Sequence, residues 1–366
     1  MYNLTSRNWH ILHTVPLQTI STTALERDVH YFGEAQIHDP RGTARFWPDT
    51  TRALKHHLEP QIIPRPYILE LKQAIISNFT VAEIANPDSV PIEIFPETMR
   101  SREHIHFMDK TKKQRRSLAR RHRNRAPDHE CGYLFGSIGW QNYYHTLVDH
   151  AVRYAEFKAA GQIPKEAVIV LPQTPNRYQA AFLDLLAIPP EKRVVADKTC
   201  IKFSRLVLPS MRRHGRAVSR AGLEAFRVQA LSQLPDQPNK RSRRIYLSRR
   251  NAQTRRVLNE LEVETVLHSH GFETAQTDQM NLIEQIALFS KAEIIVGPHG
   301  AGLANMVFAK APRVIEFLPS DLWDLGYFIG LNASCGGSYS GIVFDGTSPN
   351  DDMTVDIDAL RASIAG

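Results

Sequence analysis

The chain has 366 residues, of which 42% are hydrophobic and 23% charged, with a formal net charge of +7 and three cysteines. A single core seldom grows past about 250–300 residues, so the length implies two domains of soluble, globular composition. No apolar run reaches the roughly eighteen residues a spanning helix needs, and residues 1–20 lack the charged start and apolar block of an export signal, so a cytoplasmic location is expected.

The same reading leaves the sequons at Asn3, Asn78 and Asn332 idle, and takes the widely spaced Cys131, Cys200 and Cys335 as reduced thiols rather than a disulfide frame or zinc site. The first 130 residues are rich in Pro, His and short β-like runs and give no clear pattern; Tyr67–Phe79 reads equally as strand or helix. Between Lys110 and Arg125 stand nine Lys or Arg and no acid, so the rest of the chain is close to neutral. Such a block marks a solvated excursion or an interaction arm. No aromatic interleaves it and no recognition motif accompanies it, so nucleic acid is not expected. Contact with anionic lipid head groups at the inner face of a membrane, or with an acidic polymer, is the sharper alternative.

From Gly132 the pattern sharpens. YLFGSIG reads as a strand, Gln141–Lys158 as a helix, AVIVLP as a strand, RYQAAFLDLLAI as a helix, and RVVAD and Phe203–Leu208 as two further strands. Ser232–Arg244, with its Pro, Asn and charge, reads as a linker. Beyond it come the strand IYLS, a helix Val257–His270 closed by Gly271, the strand FETAQ, a helix Leu282–Lys291 and a compact βαβ unit. That unit is a strand Glu293–Val296, a turn Gly297–Gly302, a helix Leu303–Lys310 and a strand Val314–Leu318 carrying Glu316. Alternation at this spacing predicts an α/β protein of two doubly wound domains, residues 1–235 and 243–345, with a tail 346–366 packing back across the linker.

Three constellations carry chemistry. Ser248-Arg249-Arg250, with Arg255 following, comes directly off the strand IYLS, where ligands of such sheets lie; guanidinium forks match phosphate oxygens, and two would suit a diphosphate. The turn His299-Gly300-Ala301-Gly302 allows close backbone approach and precedes a helix start, which favours an anion; it is neither GxGxxG nor a Walker loop. In Asn142-Tyr143-Tyr144-His145-Thr146-Leu147-Val148-Asp149, His145 and Asp149 are four apart and share a helix face, as a general base and its orienting partner do. Gly337-Ser338-Tyr339-Ser340-Gly341 matches a nucleophile elbow, but no histidine follows His299, which removes the hydrolase reading. Asp356-Ile357-Asp358 has a D-x-D form but reads as the acidic start of a helix, so no metal is assigned.

On three blocks in order, NYYHTLVDH, IYLSRRNAQTRRVLNE and GPHGAGLANMVFAKAPRVIEFLP, the chain resembles glycosyltransferase family 61 across roughly residues 131–345. The resemblance implies a GT-B architecture of two facing Rossmann-like domains. It also implies a nucleotide-sugar donor, a glycan or lipid-linked glycan acceptor, and inverting transfer of a hexosyl or pentosyl group in polysaccharide biosynthesis, with no cofactor and no obligatory metal. In that picture Ser248, Arg249, Arg250, Arg255 and the His299–Gly302 turn (Gly300, Ala301, Gly302) hold the diphosphate. Glu316 meets the ribose, Asp149 is the base with His145 orienting it or serving instead, and Asn142 and Asn305 support or cap. The alternative is a non-catalytic protein binding nucleotide-sugar or polyanion in the same place.

Overall fold

The computed structural model describes residues 66–88, 102–197, 199–214, 217–235, 242–319, 326–344 and 350–365, with the short segments 14–15, 29–30, 36–38 and 61–63. The sequon at Asn3 lies outside them. Two compact units divide the chain: Met1–Arg27 with Pro64–Arg212, and Asp28–Ile63 with Arg213–Gly366.

The first unit is built on a seven-stranded sheet. Its order is Thr14–Val15, Ile68–Ser77, Ile201–Pro209, His129–Leu134, Val168–Leu171 and Arg193–Val195, with Thr80–Glu83 hairpinned onto Ile68–Ser77. The four strands from Ile201–Pro209 to Arg193–Val195 are parallel, and Ile68–Ser77 joins them antiparallel. Tyr67–Phe79 is therefore mostly strand, paired with a partner far downstream. Helix Arg177–Leu185 starts where Asn176 and Gln179 cap each other's backbone N–H groups, a capping box.

The basic block is not a loop. It continues a helix, Arg102–His122, whose Thr111, Arg115, Leu118 and Ala119 are buried at helical spacing. Arg116 pairs with Asp88 at 2.6 Å, while Lys112, Lys113, Arg120 and Arg123 are exposed. At 100° per residue these four and Arg116 fall along one stripe, away from the buried face.

The second unit carries a six-stranded sheet, ordered Phe272–Ala275, Arg243–Leu247, Ala292–Pro298, Arg313–Pro319, Ser338–Phe344 and Gln36–His38. Every neighbouring pair is parallel. Numbered from Arg243–Leu247, the first five strands run 2-1-3-4-5, the order of one class of doubly wound sheet. Tyr246, Val296, Ile315 and Phe317 fill one face against Val263, Leu267 and Leu360. Asn281 and Glu284 form a second capping box at helix Leu282–Phe289.

The division between the units falls at Arg212/Arg213, ahead of the linker expected at 232–244. Helix Arg220–Leu231 packs on the second unit: Arg227 donates to the Val307 carbonyl at 3.2 Å, and Phe226 lies 5.8 Å from Phe308. The tail also joins this unit's own core. Val257 bridges Met353, Arg256 pairs with Asp352, and Arg313 donates to the carbonyls of Ser363 and Ile364 at the end of helix Ile357–Ala365. Asp356 accepts from the backbone N–H groups of Asp358 and Ala359, so the D-x-D is a helix cap. Ser338–Phe344 is a strand, so the Gly337–Gly341 match is no strand-to-helix elbow. Asn332 is fully buried and donates to the Ser338 carbonyl at 2.6 Å, which closes that sequon to modification. Among the described residues no helix is long and apolar enough to cross a membrane.

Candidate functional site

In the second unit the chain leaves strand Arg243–Leu247, adds Phe272–Ala275 on one side, then crosses to add Ala292–Pro298 on the other. Such a reversal opens a crevice at the strands' carboxyl ends. A pocket lies there, lined by Ser248, Arg249 and Asn251 after the first strand, Gln276, Thr277 and Asp278 after the second, and Pro298, Gly300, Gly302 and Leu303 after the third.

Arg249 is the centre of its charge. Its Nε and Nη2 donate to the Thr254 carbonyl at 3.3 and 3.0 Å, and its Nη1 lies against Gly300, where an added Cβ would collide with it. A side chain at position 300 would force the guanidinium to shift. Burial, and then the neighbouring Arg255, pull the Arg249 guanidinium down to about 10, so it remains charged at neutral pH. Among the described residues no carboxylate pairs with it, and a partly buried cation without a counter-charge is costly. Arg255 donates from Nη1 to the His299 carbonyl at 3.1 Å, while its Nε is buried without a hydrogen bond. Its backbone sits at φ 58°, a region non-glycine residues rarely adopt and one that clusters at ligand sites. Ala301 and Gly302 open a 3₁₀ helix, Ala301–Phe308, tighter than the α-helix expected at Leu303–Lys310. Its first N–H groups still precede any helical carbonyl that could take them.

Two of the expected donor contacts are committed elsewhere. Arg250 is held by Glu260 at 3.1 Å and Glu264 at 2.8 Å, which neutralise it. Ser248 donates to Glu260 at 2.7 Å and accepts from the Arg250 backbone N–H at 3.2 Å, so it shapes the loop while lining the pocket. Glu316 is not available to a ribose. Its side chain is 0% exposed, one oxygen lies 2.5 Å from His299 Nδ1, and the other accepts from the Tyr339 hydroxyl at 2.6 Å. Burial, with Glu316 beside it, pushes the Tyr339 phenol well above its ordinary range, so it stays a donor. Glu316 thus fixes the His299 ring, which also meets Phe328 edge-on at 5.2 Å. Asn305, fully buried, donates to Gln285 at 2.8 Å and ties two helices together.

In the first unit the NYYHTLVDH block follows strand His129–Leu134, which has Val168–Leu171 on one side and the later Ile201–Pro209 on the other, a second point of reversal. Buried Arg153 spans it, donating to the carbonyls of Phe135 at 3.1 Å and Pro209 at 3.4 Å. The expected helix Gln141–Lys158 forms as a π-helix, His145–Ala151, running into an α-helix, Val152–Ala159. Single π turns are frequent at functional sites. Asn142 accepts from the Tyr144 N–H at 2.8 Å, as a cap does. Gly139, at φ 94°, brings the chain against the His145 ring, 3.1 Å from where a Cβ would stand. His145 Nδ1 lies 2.5 Å from Asp149 Oδ2, with the histidine side chain 13% and the aspartate 1% exposed. Of the pair, only the histidine reaches solvent. His150, next along, is fully buried beside Phe135 and Trp140, and that burial pushes it down to about 3, which keeps it neutral.

Sequence reasoning missed Asn251, Gln276, Thr277, Asp278 and Tyr339. The position of Gln276–Asp278 at and just past the end of FETAQ was the available signal. Among the described residues no group of three or more His, Cys, Asp or Glu side chains could hold a metal ion.

A comparison with curated proteins gives no match. The family model described as Glycosyltransferase 61 matches residues 143–315, a stretch that holds the His145–Asp149 pair and every residue lining the pocket. Over that stretch, 173 of its 366 residues, the chain is similar to glycosyltransferase family 61.

Proposed function

We propose that this glycosyltransferase is an inverting enzyme that takes a sugar from a nucleotide-sugar and places it on a hydroxyl of a glycan acceptor. The observation that carries the reading is Arg249: a charged guanidinium held at a glycine turn, lining a pocket at a strand reversal, with no carboxylate paired with it among the described residues. A diphosphate is the ligand such a group lacks. Arg249, Arg255 and the Ala301–Gly302 helix start supply positive charge to the departing phosphate, as a divalent ion would elsewhere. The strand orders of the two units, each taken by itself, support a GT-B assignment.

One in-line displacement balances the chemistry. The acceptor oxygen bonds to the anomeric carbon, the bond from that carbon to the diphosphate oxygen breaks, and the base takes the acceptor's proton. Exposure favours His145 for the base, with Asp149 holding its ring from the buried side, in place of the opposite order expected from sequence. The direct test is turnover by the purified protein with a panel of nucleotide-sugars and glycan acceptors, reading the anomeric configuration of the product. Retained configuration would sink the inverting reading. Binding without turnover on any acceptor would leave a nucleotide binder.

Because side-chain cations already face the leaving group in this scheme, turnover is expected to survive an excess of EDTA. Activity lost in chelator and restored by manganese or magnesium would contradict it.

The exposed stripe of Lys112, Lys113, Arg120 and Arg123 suits an anionic lipid surface, where each cation contributes about 1 kcal/mol. The protein is expected to co-sediment with phosphatidylserine vesicles at low salt, and far less at high salt or with these four changed to Glu. Equal binding to neutral vesicles would refute the assignment.

A further inference from the structure

With Glu316 buried against His299 and Tyr339, the ribose of a bound nucleotide needs another acceptor. We propose that Asp278, flanked by Asn251 and Gln276, is that acceptor, so that the pocket is a ribonucleoside diphosphate site with its nucleoside end at Asp278. This rests on the donor-site reading above.

The placement comes from topology. In doubly wound sheets a phosphate sits after the first strand, and an acid just past the second strand's carboxyl end accepts from ribose hydroxyls. Here the first strand ends at Leu247 and leads to Arg249, and the second ends at Ala275 and leads to Asp278. Both line the same pocket. Within it the polar groups sort by kind. Arg249 lies against Gly300 at the opening of the 3₁₀ helix. Asn251 reaches the other way, its Nδ2 3.4 Å from Gln276 Oε1 and 3.5 Å from Asp278 Oδ2. Thr277 stands between, its hydroxyl 3.2 Å from the position of a Cβ on Gly302. A cation and helix start at one end suit phosphate oxygens. A carboxylate, which only accepts, suits a pair of hydroxyls, and amides that both donate and accept suit a base edge. Asp278 is exposed and forms no ion pair among the described residues, so its carboxylate is open to a ligand.

The test measures binding of UDP, GDP and ADP, of their 2′,3′-dideoxy counterparts, and of inorganic pyrophosphate, by calorimetry. The preferred ribonucleotide should bind the parent protein at least tenfold more tightly than its dideoxy form, since hydrogen bonds to a charged group are at stake. Asp278→Asn should weaken the ribonucleotide by about that factor, erase the discrimination, and leave pyrophosphate affinity and melting temperature unchanged. Glu316→Gln should keep the discrimination. Ribonucleotides bound by Asp278→Asn as tightly as by the parent would overturn the inference while sparing the donor site. So would a ratio that collapses in Glu316→Gln and survives in Asp278→Asn. Failure of every nucleoside diphosphate to bind the parent protein would instead remove the donor-site reading, and this one with it.

Discussion

His145→Ala is expected to lower turnover by about 10²- to 10⁴-fold, the usual contribution of a positioned general base. Its Nδ1 is 2.5 Å from Asp149, whose side chain is 1% exposed, so the carboxylate orients the ring and stabilises the imidazolium that forms. Asp149→Asn should therefore also be impaired, because an amide cannot take the Nδ1 proton's charge in the same way. Neither change should alter nucleoside diphosphate affinity, since the proposed phosphate-binding residues belong to the other unit. His150 gives the control: neutral and buried, it can be lost only at a cost in stability. The decisive outcome is the pair of variants together. If His145→Ala keeps near-normal turnover while Asp149→Asn is dead, the carboxylate is the base after all.

Arg249→Ala should remove more than a factor of ten in nucleoside diphosphate affinity, because a charge-assisted contact to phosphate is worth about 1.5–3 kcal/mol. A second readout separates function from scaffold. Arg249 is a partly buried cation whose only hydrogen-bonded partner among the described residues is the Thr254 carbonyl, and Arg255 stands close enough to disfavour its charge. Removing it relieves that repulsion, so the ligand-free variant should melt no lower than the parent while losing its stabilisation by UDP or GDP. A variant that melts well below the parent and still binds would show Arg249 to be structural.

Much of the second unit was legible in the sequence because parallel strands buried on both faces read as apolar runs. IYLS and the strand before Gly297 appear close to their expected places, while the edge strand FETAQ, with only Phe272 and Ala275 buried, was legible from the strand–helix alternation. What periodicity conveys is shared face, not depth. It put His145 and Asp149 together but could not say which of them reaches solvent. Nor could it see that Glu260, ten residues beyond Arg250, pairs with that arginine. The burial of Glu316 was hidden for a related reason: a carboxylate near a strand's end looks available until its two partners, seventeen residues upstream and twenty-three downstream, are in place. The basic block hid an ordinary helical face behind its charge. Ile68–Ser77 was ambiguous because its longest partner strand, Ile201–Pro209, lies far downstream.

The strand Gln36–His38 has a practical corollary for anyone who would dissect this chain. It pairs with Ser338–Phe344 and so completes the second unit's sheet from a segment far upstream, between two stretches that belong to the first unit. A fragment beginning at Arg213 would keep the pocket yet leave the outer edge of Ser340–Ile342 unpaired. Open strand edges recruit other chains. Such a fragment would self-associate, whereas supplying residues 28–63 as a separate peptide should return it to solution as a monomeric complex.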